Sequence, residues 1–188
     1  APGRAFLGVQ YAILGGAKIS DKLPLIAHLA KQADRLLIGG GMAYTFLNAQ
    51  GQGIGDSLVQ EDFLDAARKL LKESRPGHFV LPVDHVLEHG EVVRDIPAGG
   101  KAMDIGPETR TNFAGHIATA KILFWNGPMG VFEKPPLDAG TLAVARAVAA
   151  CAGVTVAGGG DSVAALRAAG VEDKLSHVST GGGASLEF

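Results

Sequence analysis

Four short apolar runs in this chain end in a cluster of glycines. Tyr11 to Leu14 leads into "GGAK", Leu36 to Ile38 into "GGGMA", Val154 to Ala157 into "GGGDS", and "VST" into "GGGAS". A fifth run, "KILFW", ends in "NGPMG". The runs are too short and too continuously apolar for half-exposed strands. They predict strands buried on both faces, which belong to parallel sheets. Between them lie stretches with helical spacing: "SDKLPLIAHLAKQA", "MAYTFLNAQ", "EDFLDAARKLLKESR", "PETRTNFAGHIATA", "LDAGTLAVARAVAACAG" and "SVAALRAAG". Ser20 is the expected N-cap of the first, with Pro24 in its first turn, where a missing N–H costs little. Alternating strands and helices predict an α/β fold with a parallel sheet covered on both faces. The stretch "HGEVVRDIPAGGKAMDIG" is expected to be an irregular excursion beside that sheet.

The glycine-terminated runs should all open on one edge, the carboxyl edge, where parallel sheets bind ligands. Tight turns use glycine anyway. Five such turns at equivalent positions point further, to an edge where backbone approaches a ligand closely. The chain has 27 glycines among 188 residues, roughly double the usual share, and they cluster in loops. None of the loops is a P-loop, because "GGAKISDK" lacks the spacing. "GQGIG" at 51–55 follows a helical stretch instead of a strand, so it is no dinucleotide fingerprint.

Charge sharpens the reading. Gly159 and Gly160 precede Asp161 at a predicted helix start, where backbone N–H groups and the helix dipole attract anions. A carboxylate beside phosphate is repulsive unless a divalent cation lies between, and Mg²⁺ takes one or two carboxylates plus phosphate oxygens. The plain alternative makes Asp161 a helix N-cap. Lys18 and Lys22 stand four apart at another helix start, on one face, against the dipole. They are either two solvated surface lysines or cations awaiting a polyanion. Together with the glycine loops, they favour phosphate and a metal at Asp161.

Other classes are excluded more simply. A net charge of −2 and a pI near 6.3 leave no basic footprint for nucleic acid. The longest apolar stretch is broken by Arg146, so no membrane span is expected. No N-terminal segment reads as a signal peptide. The single cysteine, Cys151, rules out a disulfide framework and fits a reducing, cytoplasmic setting. It follows an apolar helix and is expected as a buried thiol. Hydrophobic residues make up 47% of the chain, enough for a packed core. Residues 1–188 read as a single domain, without repeat or linker. His85 and His89 are four apart, but in a strand-and-turn context unsuited to a helical metal pair. Trp125 is expected to pack beneath the ligand edge.

The motifs "ILGGAKISDK", "IGGGMAYTFL", "LPVD", "DIGPET", "FWNGPMGVFE", "GGGDSVAAL" and "KLSHVSTGGGASLE" occur in that order and span nearly the whole chain. They resemble the C-terminal, nucleotide-binding domain of phosphoglycerate kinases. The resemblance implies a three-layer α/β/α sandwich with a mostly parallel, Rossmann-like sheet. It also implies ATP or ADP with Mg²⁺ as cofactors, and reversible phosphoryl transfer between 1,3-bisphosphoglycerate and ADP in glycolysis. By resemblance, Lys18 stabilises the moving phosphoryl group, and Gly181, Gly182 and Gly183 face it. Lys22 meets the nucleotide phosphates, Asn126 lies in the phosphate-side loop, and Glu133 accepts from the ribose hydroxyls. Gly159, Gly160, Asp161 and Ser162 match the phosphate and Mg²⁺ segment, with Asp161 on the metal. Gly15, Ala17, Gly39, Gly40 and Met103 match the adenine-side walls, with Ala102 beside them. The pattern departs at Gly100, Lys101 and Ala102, where the family carries a bulky aromatic, an apolar residue and glycine. The preceding domain that takes phosphoglycerate is not among these 188 residues. The expectation is therefore a chain that binds Mg-nucleotide with little or no turnover. The alternatives are a nucleotide-binding module without kinase activity and, lacking the fingerprint, a nicotinamide-dependent oxidoreductase.

Overall fold

The computed structural model describes residues 10–180; Gly181, Gly182 and Gly183 lie outside them. In chain order the strands are Gln10–Leu14 (β1), Arg35–Ile38 (β2), Phe79–Val80 (β3), His85–Leu87 (β4), Val92–Val93 (β5), Ala102–Ile105 (β6), Ile122–Asn126 (β7), Val154–Gly158 (β8) and His177–Ser179 (β9). The helices are Ile19–Gln32 (α1), Ala43–Ala49 (α2), Leu64–Glu73 (α3), Pro107–Thr119 (α4), Ala139–Ala150 (α5) and Gly160–Ala168 (α6). Six strands form one sheet in the order β3-β2-β1-β7-β8-β9, parallel at every pairing. The α/β fold with a mostly parallel, Rossmann-like sheet is as the sequence predicts.

Side chains alternate across this sheet, and each set has its own core. Tyr11, Ile13, Leu123, Trp125 and Ala157 pack with Phe113 and Ile117 of α4, Val144 and Val148 of α5, and Leu166 of α6. Ala12, Leu14, Leu36 and Ile38 pack with Ile19 and Ile26 of α1, Phe46 of α2 and Ala67 of α3. Fully burying one Leu or Ile contributes roughly 1.5–3 kcal/mol, so both layers are well supported. Trp125 is wholly buried, and its indole N–H donates to the carbonyl of Gly127 at 2.8 Å. It supports the loop after β7 from below, as expected.

Three local expectations are corrected. Ser20 is not the N-cap: α1 begins at Ile19, Lys18 occupies the cap and no side chain caps it in the usual way. Gln60 does the work from a distance, its Oε1 accepting the Ser20 N–H at 3.0 Å while its amide donates to Ser20 Oγ at 2.9 Å. The stretch 89–106 does lie beside the main sheet, but it is not irregular throughout. It supplies β5 and β6, which pair antiparallel with β4 as a second, three-stranded sheet. Gly90, at φ +95°, turns the chain between β4 and β5, and its N–H donates to the Leu87 carbonyl. Cys151 is only half-buried, with its Sγ 3.6 Å from the Ala120 carbonyl.

Asp84, just before β4, ties the second sheet to the start of α4. Its Oδ2 accepts the N–H of Glu108 at 2.9 Å and its Oδ1 that of Thr109 at 2.8 Å. These are first-turn donors of α4 that have no partner within the helix. Pro107 opens that helix, where its lack of an N–H is harmless. Burial works to raise the Asp84 pKa, but the bonds from the Thr109 hydroxyl, the Thr109 N–H and the Glu108 N–H outweigh it and hold it low.

Candidate nucleotide site

All the described glycine loops leave the same edge of the main sheet, and they are sewn together by backbone. Gly15 N–H donates to the Asn126 carbonyl at 2.9 Å, Gly16 N–H to Pro128 at 3.0 Å and Gly40 N–H to Met129 at 3.0 Å. This contact is possible only without side chains. A Cβ on Gly15 would overlap the Pro128 carbonyl, one on Gly39 the Met129 sulfur, and one on Gly40 the backbone of Gly16. Gly15, Gly39 and Gly40 are buried; they form the floor that lets three loops meet.

Above this floor is a groove of about 530 Å³. Ala17, Lys18, Lys22, Asn126, Gly159, Gly160, Asp161 and Ser162 all line it. Eight residues that the sequence singles out across 146 positions thus share one cavity. Lys22 donates to Asn126 Oδ1, and the Asn126 amide donates to the Gly158 carbonyl at 3.0 Å. Gly159 takes φ +91°, and a side chain there would press on Asn126. Ser162 is fully buried. Its Oγ accepts the Gly127 N–H at 2.8 Å, fastening the β7 loop to α6.

Charge in the groove is unbalanced. Burial lowers the pKa of the Lys22 ammonium, and the carboxylates of Asp161 and Asp21 pull it only partly back. Lys18 is exposed on the same wall. Asp161 is exposed in the first turn of α6, whose cap is Gly159 with no side-chain bond. The N-cap alternative for Asp161 therefore has no support. Backbone N–H groups at the start of α6, two ammonium groups and an uncapped carboxylate suit a polyphosphate with a divalent cation. Among the described residues, no group of three metal-ligating side chains comes together.

Three further expected residues, Ala102, Met103 and Glu133, stand apart from this groove. Ala102 is buried in β6 and its N–H donates to Ser57 Oγ. Met103 is half-buried, and its carbonyl accepts the Val131 N–H at 2.9 Å. That pairing brings residues 127–138 back against β6, with Glu133 exposed on them. Gly100 N–H bonds back to Pro97 and its carbonyl accepts the Asp56 N–H at 2.8 Å, so the departure from the family pattern lies in a closed, hydrogen-bonded turn. Leu58 was not foreseen. It is 44% exposed beside Gly41 and Ala17, a lone apolar side chain at the groove rim. Its signal is weak, a single leucine in the polar loop "GDSLVQ".

The histidines form no metal pair. His85 is buried in β4 with its Nδ1 3.0 Å from the Tyr44 hydroxyl, whereas His89 is exposed in the following turn. Burial lowers the His85 pKa, against the pull of Asp84. Burial raises that of Tyr44, with Asp104 and Asp84 adding. Both groups are thus held neutral, and the hydroxyl and Nδ1 share one buried hydrogen bond.

Asp104, in β6, is 1% exposed. Burial pushes its carboxyl up to about 7, although the Gly140 N–H, Arg110 and the Ile105 N–H pull it down; Asp138 adds to the rise. The unfolded chain releases this proton near 3.8. The resulting stabilisation is complete below that value and is lost as pH rises towards 7. Asp104→Asn removes the titration, so the substitution should cost more stability at pH 5 than at pH 8. Urea unfolding of both proteins at the two values checks the sign; a pH-independent difference would contradict it.

Comparison with known proteins gives a consistent answer. The sequence profile of the family described as "Phosphoglycerate kinase" matches residues 8–188. A phosphoglycerate kinase of Solibacter usitatus is 57% identical over 184 residues, covering 94% of this chain and 47% of that protein. One from Anaeromyxobacter sp. (strain K) is 51% identical over 199 residues, covering all of this chain and 49% of that protein. The structure of phosphoglycerate kinase from Coxiella burnetii superposes with a TM-score of 0.93 at 37% identity, covering 98% of this chain and 51% of that one. The chain spans about half the length of the relatives it matches. No helix among the described residues is long and apolar enough to cross a membrane.

Proposed function

This chain belongs to the phosphoglycerate kinase family, and from that premise we propose that it is the half that holds ATP or ADP with Mg²⁺. The observation carrying this reading is the groove that places Lys18, Lys22, Asn126 and the start of α6 with Asp161 around one cavity. Lys22 and the Gly160 N–H at the start of α6 bind the phosphate oxygens, Asn126 holds Lys22 in place, and the Gly159 N–H is already given to the Ser179 carbonyl. Asp161 would hold the cation, which would supply neutralisation of the phosphate charge. Glu133 takes the ribose hydroxyls, and Ala17, Met103 and Leu58 flank the base. Lys18, exposed at the mouth, stabilises the group in transit, with Gly182 and Gly183 as its expected partners. Phosphoryl transfer needs positioning and charge stabilisation more than covalent chemistry from the protein, and these residue types provide both.

The reaction, reversible transfer between 1,3-bisphosphoglycerate and ADP in a glycolytic, cytoplasmic setting, requires the acceptor held in line with the nucleotide. These residues provide the nucleotide side, so the chain by itself should turn over little or not at all. Supplying the remaining half of a relative in trans should restore turnover; silence would favour a nucleotide-binding module.

The test of the site is calorimetric titration with ADP, with and without Mg²⁺, on this chain and on Asp161→Ala. Mg²⁺ should tighten binding to the wild type about tenfold, one charge-assisted contact's worth, and leave the variant unchanged. Absence of ADP binding, or an equal Mg²⁺ effect in the variant, would overturn the assignment.

A further inference from the structure

The β6 strand carries a buried carboxylate that the proposed site does not use. Asp104 Oδ1 accepts the Ile105 N–H at 2.9 Å and Oδ2 accepts the Gly140 N–H at 2.8 Å. Arg110 of α4 approaches Oδ2 at 3.5 Å. One carboxylate thus joins β6, the first turn of α5 and α4. It also dictates what can stand opposite. A Cβ on Gly130 would fall 2.5 Å from Asp104 Oδ1 and 2.6 Å from the Met103 carbonyl, and one on Gly140 would overlap Asp104 Oδ1. Two glycines, ten residues apart, are therefore the two ends of one segment pressed onto a single side chain. Between them lie Val131, whose N–H is bonded to Met103, and exposed Glu133. A buried charge is costly unless fully paired, and here two backbone N–H donors and Arg110 pair it. An apolar residue would leave those donors without an acceptor, so the carboxylate is what holds this segment to β6.

We propose that Asp104 is a positioning residue of the nucleotide site: its carboxylate seats residues 130–140 against β6 and so fixes Glu133 and the Met103 wall where base and ribose are read. The inference rests on the nucleotide reading above and deepens it. The division of labour is physical. Phosphate is held by Lys18, Lys22 and the start of α6, which Asp104 does not touch. Base and ribose are read from a segment whose height over β6 it sets. Loosening the clamp should therefore weaken recognition of the nucleoside and spare that of phosphate.

The experiment compares MgADP and Mg-pyrophosphate binding at pH 8 in wild type, Asp104→Asn and Gly130→Ala. Asparagine keeps the shape but turns an NH₂ towards one of the two N–H donors, so one bond is lost. Alanine at 130 leaves the charge intact and lifts the segment by sterics. Each variant should bind MgADP about tenfold more weakly, Asp104→Asn through one lost charge-assisted hydrogen bond and Gly130→Ala through steric lift of the segment, and bind Mg-pyrophosphate within about twofold of wild type. Amide exchange at Val131 should quicken in both. A parallel loss of both ligands would mark a merely structural role and overturn the proposal, as would unchanged exchange at Val131. Wild type binding neither probe would sink the nucleotide reading and this inference with it. Wild type binding both, with the variants unchanged towards MgADP, would sink the inference alone.

Discussion

Replacing Gly40 with alanine should remove about 2–5 kcal/mol of folding stability, the sum of a left-handed backbone penalty and a steric one. That is much of what a domain of this size has to spare. Gly40 sits at φ +72°, and a Cβ there would meet the N and O of Gly16 and, at 2.9 Å, the Pro128 carbonyl. The atoms in the way are backbone, so no side chain can swing aside. Relief would require parting the loops after β1, β2 and β7, whose mutual bonds include Gly16 N–H to Pro128 and Gly40 N–H to Met129. Gly51 is the control. It has φ +87° but nothing within 4 Å of a built Cβ. Gly51→Ala should carry only the backbone penalty, about 1 kcal/mol. Urea unfolding of the two variants separates the terms. Equal losses would mean that loop contact contributes nothing and that the glycine cluster is turn geometry alone.

That contrast bears on what could be read from the sequence. Continuous apolar runs and glycine ends identified β1, β2, β7 and β8 because a strand buried on both faces leaves no polar alternation to confuse it. Lys22 and Asp161 stood out as candidates because each residue type is odd for its place: a cation at a helix start, an acid in a phosphate-like turn; Asn126 came only with the family resemblance. Residues whose partners are distant in sequence were not legible. Gln60 caps α1 from 40 residues away, and nothing in "SLVQED" marks it. Asp104 looked like one letter of "MDIG", although its role depends on Gly130 and Gly140. The second sheet was hidden for a related reason. β5 has two residues and β6 four, too short for periodicity to show, and a β-bulge between Val86 and Leu87 breaks the register that alternation would have followed. Gly15, Gly39 and Gly40 were legible as important, but sequence could not distinguish contact with a ligand from contact between loops. The structure puts them under the groove.

Replacing Lys22 with methionine should weaken MgADP binding about 10- to 100-fold, the range for losing one charged hydrogen bond to phosphate, without a loss of stability. The two halves of this expectation come from one fact. The Lys22 ammonium is partly withdrawn from water, and burial lowers its pKa despite Asp161 and Asp21. In the folded protein its bonded partner is the neutral amide oxygen of Asn126, which compensates a charge poorly. Folding therefore bears a desolvation cost that methionine, similar in length and apolar, does not. Unfolding free energy should hold steady or rise in the variant, as expected for a residue kept for binding and not for the fold. Its pH dependence has a definite sign. With the folded pKa below the model value of 10.5, the wild type gains stability as pH rises towards 10.5, because the folded state holds the proton less tightly. Lys22→Met should lack that gain. Lys18 gives the comparison: it is exposed and screened by salt, so Lys18→Met should cost less affinity. Calorimetry with MgADP and urea unfolding between pH 8 and 10 test both halves. A Lys22→Met protein that unfolds more easily yet binds MgADP as tightly as wild type would show that the ammonium serves the fold, and the groove would lose its central cation.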